Sequence, residues 1–142
     1  MTDLTIGQAQ RMTAPAPFAL LTSADKEGKT NIMAVSWWTY LSNHPVKIGA
    51  CLSNKGYSGG NIREGGEFAI CVVDEQLKDS ALQCGRCSGR STDKAAELGI
   101  ELAEAKMISP KVVAASKVVF ECKLSDMPVS YTHLTLPTNS RV

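Results

Sequence analysis

The sequence Ser53-Asn-Lys-Gly-Tyr-Ser-Gly-Gly-Asn-Ile62 joins a predicted strand to a predicted helix and places many polar groups in one connection. It follows the apolar run Val46–Leu52 and leads into a short helix-like segment, Asn61–Glu64. Glycine lets the backbone approach a ligand closely, and a helix start presents unpaired N–H groups at the positive end of its dipole. The stretch therefore suits a phosphate or another compact anion, although an ordinary turn uses the same residue types.

The composition is that of one domain with a single hydrophobic core. The chain has 142 residues, with Lys+Arg 15 against Asp+Glu 14 and no basic block, which argues against nucleic acid as a main partner. No apolar run approaches the roughly 20 residues of a membrane span, and the N-terminus lacks the pattern of a secretion signal. We therefore expect a soluble cytoplasmic protein with neither a nucleic-acid nor a membrane partner.

Alternating and apolar runs predict an antiparallel fold. Phe18–Ser23 and Thr30–Thr39 flank a turn and read as a hairpin, whose second strand is apolar on both faces and is therefore expected to be central. In that strand, Met33, Val35 and Trp37 would share one face, and Trp38 would lie on the other. The remaining segments predict three strands and two short helices: Val46–Leu52, Glu67–Val73, Lys117–Leu124, Glu75–Gln83 and Asp93–Leu98. Together they predict a mainly β, α+β fold, an antiparallel barrel with inserted helices.

The C-terminal segment, Val129–Val142, differs from the rest of the chain. Val129–Thr138 reads like a translated sequencing adapter rather than a fold element. We therefore expect a single domain over residues 1–128, incomplete at its C-terminus, followed by a non-native tail over residues 129–142. Tyr131 and His133 receive no functional role.

A second polar cluster spans Cys84–Lys94 and contains two arginines, one lysine, three hydroxyls and two glycines. Its cations could neutralise a phosphate and its hydroxyls could donate to phosphate oxygens, while a solvated loop is the plain alternative. Cys84-x-x-Cys87 adds two further alternatives. A zinc site would need ligands that the sequence does not supply, and a thioredoxin-like pair would stand at the start of a helix rather than after one. We therefore expect no metal site.

A third cluster is Asn31-Ile-Met-Ala-Val-Ser-Trp-Trp38. Asn31 and Ser36 interrupt an otherwise apolar strand, and the small side chain of Ala34 leaves room for a flat ligand against the backbone. Tryptophans such as Trp37 and Trp38 occur more often in cores and interfaces than as stacking partners.

The three clusters together resemble the flavin reductase-like family, specifically its flavoredoxin-type branch. The matching pieces are Asn31–Trp38, Ser53–Ile62 with Gly65-Gly-Glu-Phe68, and Cys84–Lys94, and the resemblance runs from about Pro15 to Leu124. It implies an FMN-binding split β-barrel, normally a homodimer with FMN near the interface. The resemblance also implies that later segments, beyond the end of this chain, complete the barrel.

The resemblance also implies which residues would bind FMN. The isoalloxazine ring would lie against five residues of the third cluster: Asn31, Met33, Ala34, Val35 and Ser36. The ribityl chain and phosphate would be held by Ser53, Asn54, Tyr57, Ser58 and Asn61. Ser88, Gly89 and Lys94 would close over the phosphate side. Tyr57 stands where histidine is frequent in relatives, and Gly59-Gly60 is unusually loose.

The implied chemistry belongs to the cofactor, with NAD(P)H as the electron donor. The chain would be an NAD(P)H-dependent oxidoreductase that passes electrons through FMN to a flavin, a metal ion or a redox-protein partner. The alternative is an FMN-binding electron-transfer protein without its own nicotinamide site. No side chain is predicted to act as a nucleophile or an acid-base catalyst, so no catalytic residue is assigned.

Overall fold

Four antiparallel strands form the main sheet of the computed structural model, which describes residues 18–53 and 55–128. The strands in that range are β1 (Ala19–Ala24), β2 (Thr30–Val35), β3 (Trp38–Asn43), β4 (Val46–Ala50), β5 (Glu67–Val72), β6 (Leu102–Ala103), β7 (Val112–Val113) and β8 (Val118–Lys123). The main sheet has the order β2-β1-β5-β8, and β3-β4 and β6-β7 form two-stranded ribbons. The predicted mainly β, antiparallel architecture with short helices is confirmed.

The predicted hairpin is confirmed, and its turn is built by an aspartate. β1 pairs with β2 from Ala19↔Val35 to Ala24↔Thr30. The Asp25 carboxylate accepts the backbone N–H groups of Glu27 and Lys29, at 3.0 and 2.9 Å. The prediction that this second strand is central was wrong, because β2 stands at the edge of the described sheet. It is apolar on both faces because two separate hydrophobic clusters cover it.

The predicted strand Thr30–Thr39 is in fact two strands. β2 ends at Val35 and β3 begins at Trp38, so Ser36 and Trp37 form a corner. Trp38 is buried in the same cluster as Met33 and Val35, whereas Trp37 is 52% exposed. The predicted faces of the two tryptophans were therefore wrong, because the corner resets the alternation that a continuous strand would keep.

Three helices and one 3₁₀ turn carry the polar segments. They are α1 (Tyr57–Gly65), the 3₁₀ turn Glu75–Leu77, α2 (Lys78–Cys84) and α3 (Lys94–Glu97). Asp74 caps the 3₁₀ turn by accepting the Gln76 N–H, and Asp93 caps α3 by accepting the Ala96 N–H. The predicted helices are found where expected, although α1 begins four residues earlier than the sequence indicated. The described helices include none long and apolar enough to cross a membrane.

Two hydrophobic clusters cover opposite faces of the main sheet. The first contains Leu20, Ile32 and Cys71 with residues of α2, and Ala95 and Leu98 of the α3 region pack against it. The second contains Leu21, Ile70 and Ile62 of α1. Because β1 alternates between the clusters, the helix α1 lies on one face of β1 and β2 while α2 and α3 lie on the other.

The β6–β7 hairpin was not predicted, and its connecting loop is held by two carboxylates. Glu121 accepts the N–H groups of Lys106 and Met107, the latter at 2.6 Å, and Glu67 accepts that of Ser109 at 2.8 Å. The hydrogen bond from Ser109 lowers the pKa of Glu67. The loop is therefore anchored to β5 and β8, and it places Lys111 beside the start of β2.

Candidate functional site

The first turn of α1 is an uncapped helix start. Gly56, the residue before the helix, has an extended backbone and provides no side-chain cap, and the first turn contains no acidic residue. The N–H of Gly56 itself is engaged by the Ser53 carbonyl at 2.9 Å. Free helical N–H groups without a competing carboxylate form a site for an anion.

Buried polar side chains of β2 and α1 meet beside this turn. The Asn31 amide nitrogen donates to the Ser58 hydroxyl at 2.8 Å, and both residues are buried. The bond joins positions 27 residues apart in the sequence. This hydrogen bond therefore fixes the position of α1 relative to the start of β2.

Asn61 is a buried site residue whose side-chain amide is an unsatisfied hydrogen-bond donor. It is 5% exposed, and its amide nitrogen forms no hydrogen bond in the described part of the chain. The Tyr57 phenol is its neighbour within the protein, close enough for Asn61 to oppose the rise in the pKa of that phenol but not placed for a well-formed hydrogen bond. A buried donor without a well-formed hydrogen bond costs up to about 1–3 kcal/mol, so a ligand that accepts from it would recover that free energy.

Tyr57 is held between the hairpin turn and the second polar cluster. Its hydroxyl donates to the Asp25 carboxylate at 3.1 Å, and the Arg90 guanidinium lies 5.9 Å from its ring centroid. Arg90 also donates to the Lys55 carbonyl at 3.2 Å. Burial and then the hydrogen bond to Asp25 raise the pKa of Tyr57. Asp25 was interpreted from the sequence only as a turn residue, and no local pattern could have indicated a partner 32 positions away.

The loop between α2 and α3 closes over these residues at Gly89. A Cβ at this position would overlap the Asn31 side-chain oxygen, lie 2.6 Å from Asn31 Cγ and approach the Tyr57 ring at 3.0 Å. The backbone of the second cluster therefore touches the third cluster directly, and only glycine permits that approach. A small cleft remains beside this contact, with a volume of about 10 Å³, and it is lined by Lys29, Thr30, Asn31, Tyr57, Gly89, Thr92, Asp93 and Lys94.

Lys94 supplies a buried positive charge to the same cleft. Its side chain is 5% exposed, and its ammonium donates to the Cys84 carbonyl at 2.9 Å. That carbonyl is at the C-terminal end of α2, where the helix dipole favours a cation. In the described residues Lys94 forms no ion pair with a carboxylate. It thus caps α2 and also lines the cleft, where Asp93 is the acidic residue and pairs with Lys29 instead.

The other predicted residues are more dispersed. Met33 and Ala34 are half-buried on opposite faces of β2, and Val35 packs its side chain into the second cluster, so only its backbone is open to a ligand. Ser36, Ser53 and Ser88 are exposed. Asn54 lies outside the described residues. The structure therefore brings together a smaller set: Asn31, Tyr57, Gly89 and Lys94 line the cleft, and Ser58 and Asn61 are buried behind Asn31 and Tyr57.

Cys84 and Cys87, on which the zinc and dithiol alternatives depend, differ in burial, because Cys84 is buried and Cys87 is half-buried. In the described residues, no group of three or more histidine, cysteine or acidic side chains could hold a metal ion. Cys84 is buried in the first cluster, and burial raises the pKa of its thiol. A buried thiol with a raised pKa is a poor nucleophile.

The link between Tyr57 and Asp25 can be tested by titration. Because the carboxylate accepts the phenolic proton, we expect Tyr57 to ionise above its ordinary pKa of 10.0 and Asp25→Ala to move its titration to lower pH. Near-ultraviolet absorbance would record phenolate formation, with the Tyr57→Phe variant identifying which tyrosine contributes. Identical titrations of the unaltered chain and Asp25→Ala would contradict the contact.

An antiparallel sheet carries an uncapped helix start and a glycine-closed loop, whose donors an anionic ligand could accept from. Comparison with known proteins gives the family. Residues 11–136 match the flavin reductase like domain, and the chain belongs to that family. The predicted split-barrel fold of flavin reductase-like proteins is thereby confirmed.

Known proteins resemble the chain in structure and in sequence. The flavoredoxin of Desulfovibrio vulgaris (Miyazaki F) superposes with a TM-score of 0.81 and 26% identity, over 90% of this chain and 69% of that protein. An FMN-binding domain of a flavin reductase-like enzyme from Shewanella baltica OS155 gives 0.72 and 25%, over 90% and 66%. A curated relative from Aeropyrum pernix is 24% identical over 115 residues, 80% of this chain and 44% of the relative. The chain thus spans less than half the length of that relative.

Proposed function

We propose that this chain binds FMN and serves as a flavin-dependent oxidoreductase that uses NAD(P)H. The observation that carries the proposal is the buried, unpartnered amide of Asn61 next to the uncapped start of α1. Together they offer hydrogen-bond donors to one compact anion, such as the phosphate of FMN. The FMN-binding domain from Shewanella baltica, similar in fold and 25% identical, supports the same ligand.

The donors and charges of these residues suit the phosphate end of FMN, and the cleft, which has a volume of about 10 Å³ in this structure, would have to widen to admit it. Asn61 would donate its free amide, the first turn of α1 its N–H groups, and Lys94 its unpaired charge. Arg90 would turn from the Tyr57 ring toward the dianion, because a guanidinium binds phosphate more strongly than an aromatic face. Asn31, whose amide donates to the Ser58 hydroxyl, would form part of the surface against which the flavin lies.

FMN, when bound, supplies hydride and single-electron chemistry. The chain's own residues would bind and orient it, and the loop at Gly89 would cover the phosphate side. We assign no catalytic residue to the protein, because the cofactor would perform the chemistry.

A second candidate is an electron carrier with FMN and no nicotinamide site. The likeness to the flavoredoxin of Desulfovibrio vulgaris, at a TM-score of 0.81, favours it. The likeness to the 2-nitrobenzoate 2-nitroreductase of Pseudomonas fluorescens, at 0.77 and 25% identity, favours the enzyme. The enzyme would pass electrons to a flavin, a metal ion or a redox protein. The carrier would pass them to a redox protein.

The experiment has two stages. The purified chain is incubated with FMN and desalted, and a visible spectrum of bound flavin is the expected result; a colourless protein with no thermal shift would refute the proposal. NADH or NADPH is then added anaerobically. Bleaching of the flavin band identifies the enzyme, whereas an unchanged band that dithionite bleaches identifies the carrier.

We also propose a homodimer and a cytoplasmic location for the protein. The dimer is supported by exposed apolar side chains at the β2–β3 corner and on the β3–β4 ribbon, where Trp37, Leu41 and Val46 are 52, 66 and 66% exposed. Exposed apolar patches are typical of protein–protein interfaces. Sedimentation of the FMN-loaded protein would give the assembly state.

A further inference from the structure

The end of α2 and the loop that follows it contain a pair of cysteines that the proposed function does not use. Cys84 is the last residue of α2 and is 1% exposed, whereas Cys87 is half-buried, and both are free thiols in this structure. The two thiols therefore differ in access. A reagent in solution can meet Cys87, and Cys84 can be reached only from within the protein.

A turn over Gly85 and Arg86 brings the two cysteines together. Gly85 keeps a helical backbone, with φ −77° and ψ −14°, and the Arg86 N–H donates to the Gln83 carbonyl at 2.9 Å. Residues three apart on such a turn have Cα atoms about 5 Å apart, within the roughly 4.4–6.8 Å that a disulfide spans. Burial raises the pKa of Cys84, and the nearby Cys87 thiol adds to that rise. The two thiols are thus neighbours in space as well as in sequence.

The Cys87 side chain points back toward α2. Its thiol donates to the Gln83 carbonyl, in the last turn of that helix, at 3.4 Å. Cβ atoms three residues apart on a helix are about 5–6 Å apart, and a disulfide needs about 3.5–4.5 Å. Because Cys87 lies beyond the end of α2, the turn can tighten by this difference once the hydrogen bond to Gln83 is released.

The turn lies beside the candidate site. A Cβ at Gly85 would lie 3.5 Å from the Ala34 Cβ, so the turn packs against β2. Gly89, two positions after Cys87, contacts the Asn31 side chain. A turn tightened by a disulfide would therefore pull on the loop that closes the cleft.

From this arrangement we propose that Cys84 and Cys87 are a redox-active dithiol, which forms an internal disulfide in exchange with a small disulfide such as oxidised glutathione. The Cys87 thiolate attacks one sulfur of oxidised glutathione, so that its S–S bond breaks and one glutathione leaves. The Cys84 thiolate then attacks the Cys87 sulfur and displaces the second glutathione. Two electrons pass from the protein to glutathione, and the two thiol protons end on the two released molecules. The proposal goes beyond the proposed function and does not require flavin.

Proximity rather than activation makes the second step possible. The pair follows a helix and therefore lacks the helix N-terminus that activates a thioredoxin-like thiol. Burial raises the pKa of Cys84, although the Lys94 ammonium, which donates to the Cys84 carbonyl at 2.9 Å, partly offsets this effect. Once glutathione is bonded to Cys87, the Cys84 sulfur is held within the same turn, and reactants held in this way react as though highly concentrated. We therefore expect a slow first step and a fast second one.

Peptide mapping after exchange tests the proposal. The reduced, folded chain is incubated with oxidised glutathione, quenched with acid, alkylated with N-ethylmaleimide and digested with trypsin. Because trypsin cuts after Arg86, Cys84 and Cys87 fall in different peptides, residues 79–86 and 87–90. We expect a disulfide to join these two peptides, at least about tenfold in excess of every other cysteine pairing. If glutathione remains on Cys87 and the two peptides stay separate, the proposal is overturned.

Three variants separate the pair from general thiol reactivity. Cys84→Ala should stop the reaction at the mixed disulfide on Cys87, which should accumulate at least about tenfold above its level in the unaltered chain. Cys87→Ser should leave the buried Cys84 as a free thiol. Cys51→Ser is the matched control, because Cys51 is exposed and lies outside the turn, and it should form the same link as the unaltered chain.

The variants also give results that would contradict the proposal. An unmodified Cys87 in Cys84→Ala, or glutathione on Cys84 in Cys87→Ser, would show that the assigned order of attack is wrong. Should Cys84→Ala not fold, the mapping of the unaltered chain decides by itself. Because no flavin enters these experiments, their failure leaves the proposed function intact.

Discussion

Gly89→Ala is expected to abolish tight FMN binding and to destabilise the protein. The new methyl group would overlap the Asn31 amide, whose nitrogen is bonded to Ser58 at 2.8 Å, and would press on the Tyr57 ring. Either the Asn31–Ser58 bond breaks or the loop lifts from the cleft. Overpacking of this kind costs about 1–3 kcal/mol. Loss of the surface formed by Asn31 and the loop should weaken FMN binding about 10- to 100-fold. Thermal unfolding and fluorescence titration would measure the two effects.

Gly85→Ala is the matched control for Gly89→Ala. Gly85 belongs to the same loop, its φ is −77°, and a Cβ there would meet the Ala34 and Leu82 atoms at an ordinary 3.5 Å. It should therefore fold and bind as the unaltered chain does. The double variant Asn31→Ala, Gly89→Ala should recover stability, because the overlap is relieved, without recovering affinity. If Gly89→Ala alone binds FMN like the unaltered chain, the loop does not form part of the site.

The strands were predictable because their alternation reflects burial on one face or two. Phe120 and Cys122 of β8, and Ile48 and Ala50 of β4, all pack into the second cluster as alternation requires. The corner at Ser36 and Trp37 was not predictable. Neither glycine nor proline marks it, and residues before and after it are equally apolar.

The candidate site was predictable in its loops but not in its contacts. Clusters of glycine, hydroxyl and amide residues indicated which segments would gather, because such residues leave backbone groups accessible. The partner of each side chain depends on three-dimensional packing instead. Lys94 was predicted to face a phosphate, yet its first partner is the carbonyl of Cys84 at the end of α2. Asp25 reaches Tyr57 only because the β1–β2 turn lies over the start of α1.

Asn61→Leu is expected to raise stability and to remove FMN binding, a combination that distinguishes a ligand site from a structural one. In the chain without flavin, the buried amide of Asn61 forms no hydrogen bond in the described residues, so a leucine, which has the same side-chain branching, would relieve a cost of about 1–3 kcal/mol. With flavin, the same change deletes a donor to a charged phosphate. Such a bond contributes about 1.5–3 kcal/mol, so FMN should bind about 10- to 150-fold more weakly.

Thr22→Val separates the two effects of Asn61→Leu. The Thr22 hydroxyl is also buried without a partner, but strand alternation places it with Leu20 on the face of β1 opposite α1. Its replacement should raise the melting temperature without changing FMN affinity. If Asn61→Leu lowers stability and leaves the FMN titration unchanged, Asn61 is a structural residue whose amide does not face the phosphate. The free amide would then carry no argument for a ligand, and the start of α1 alone would be too general a feature to support one.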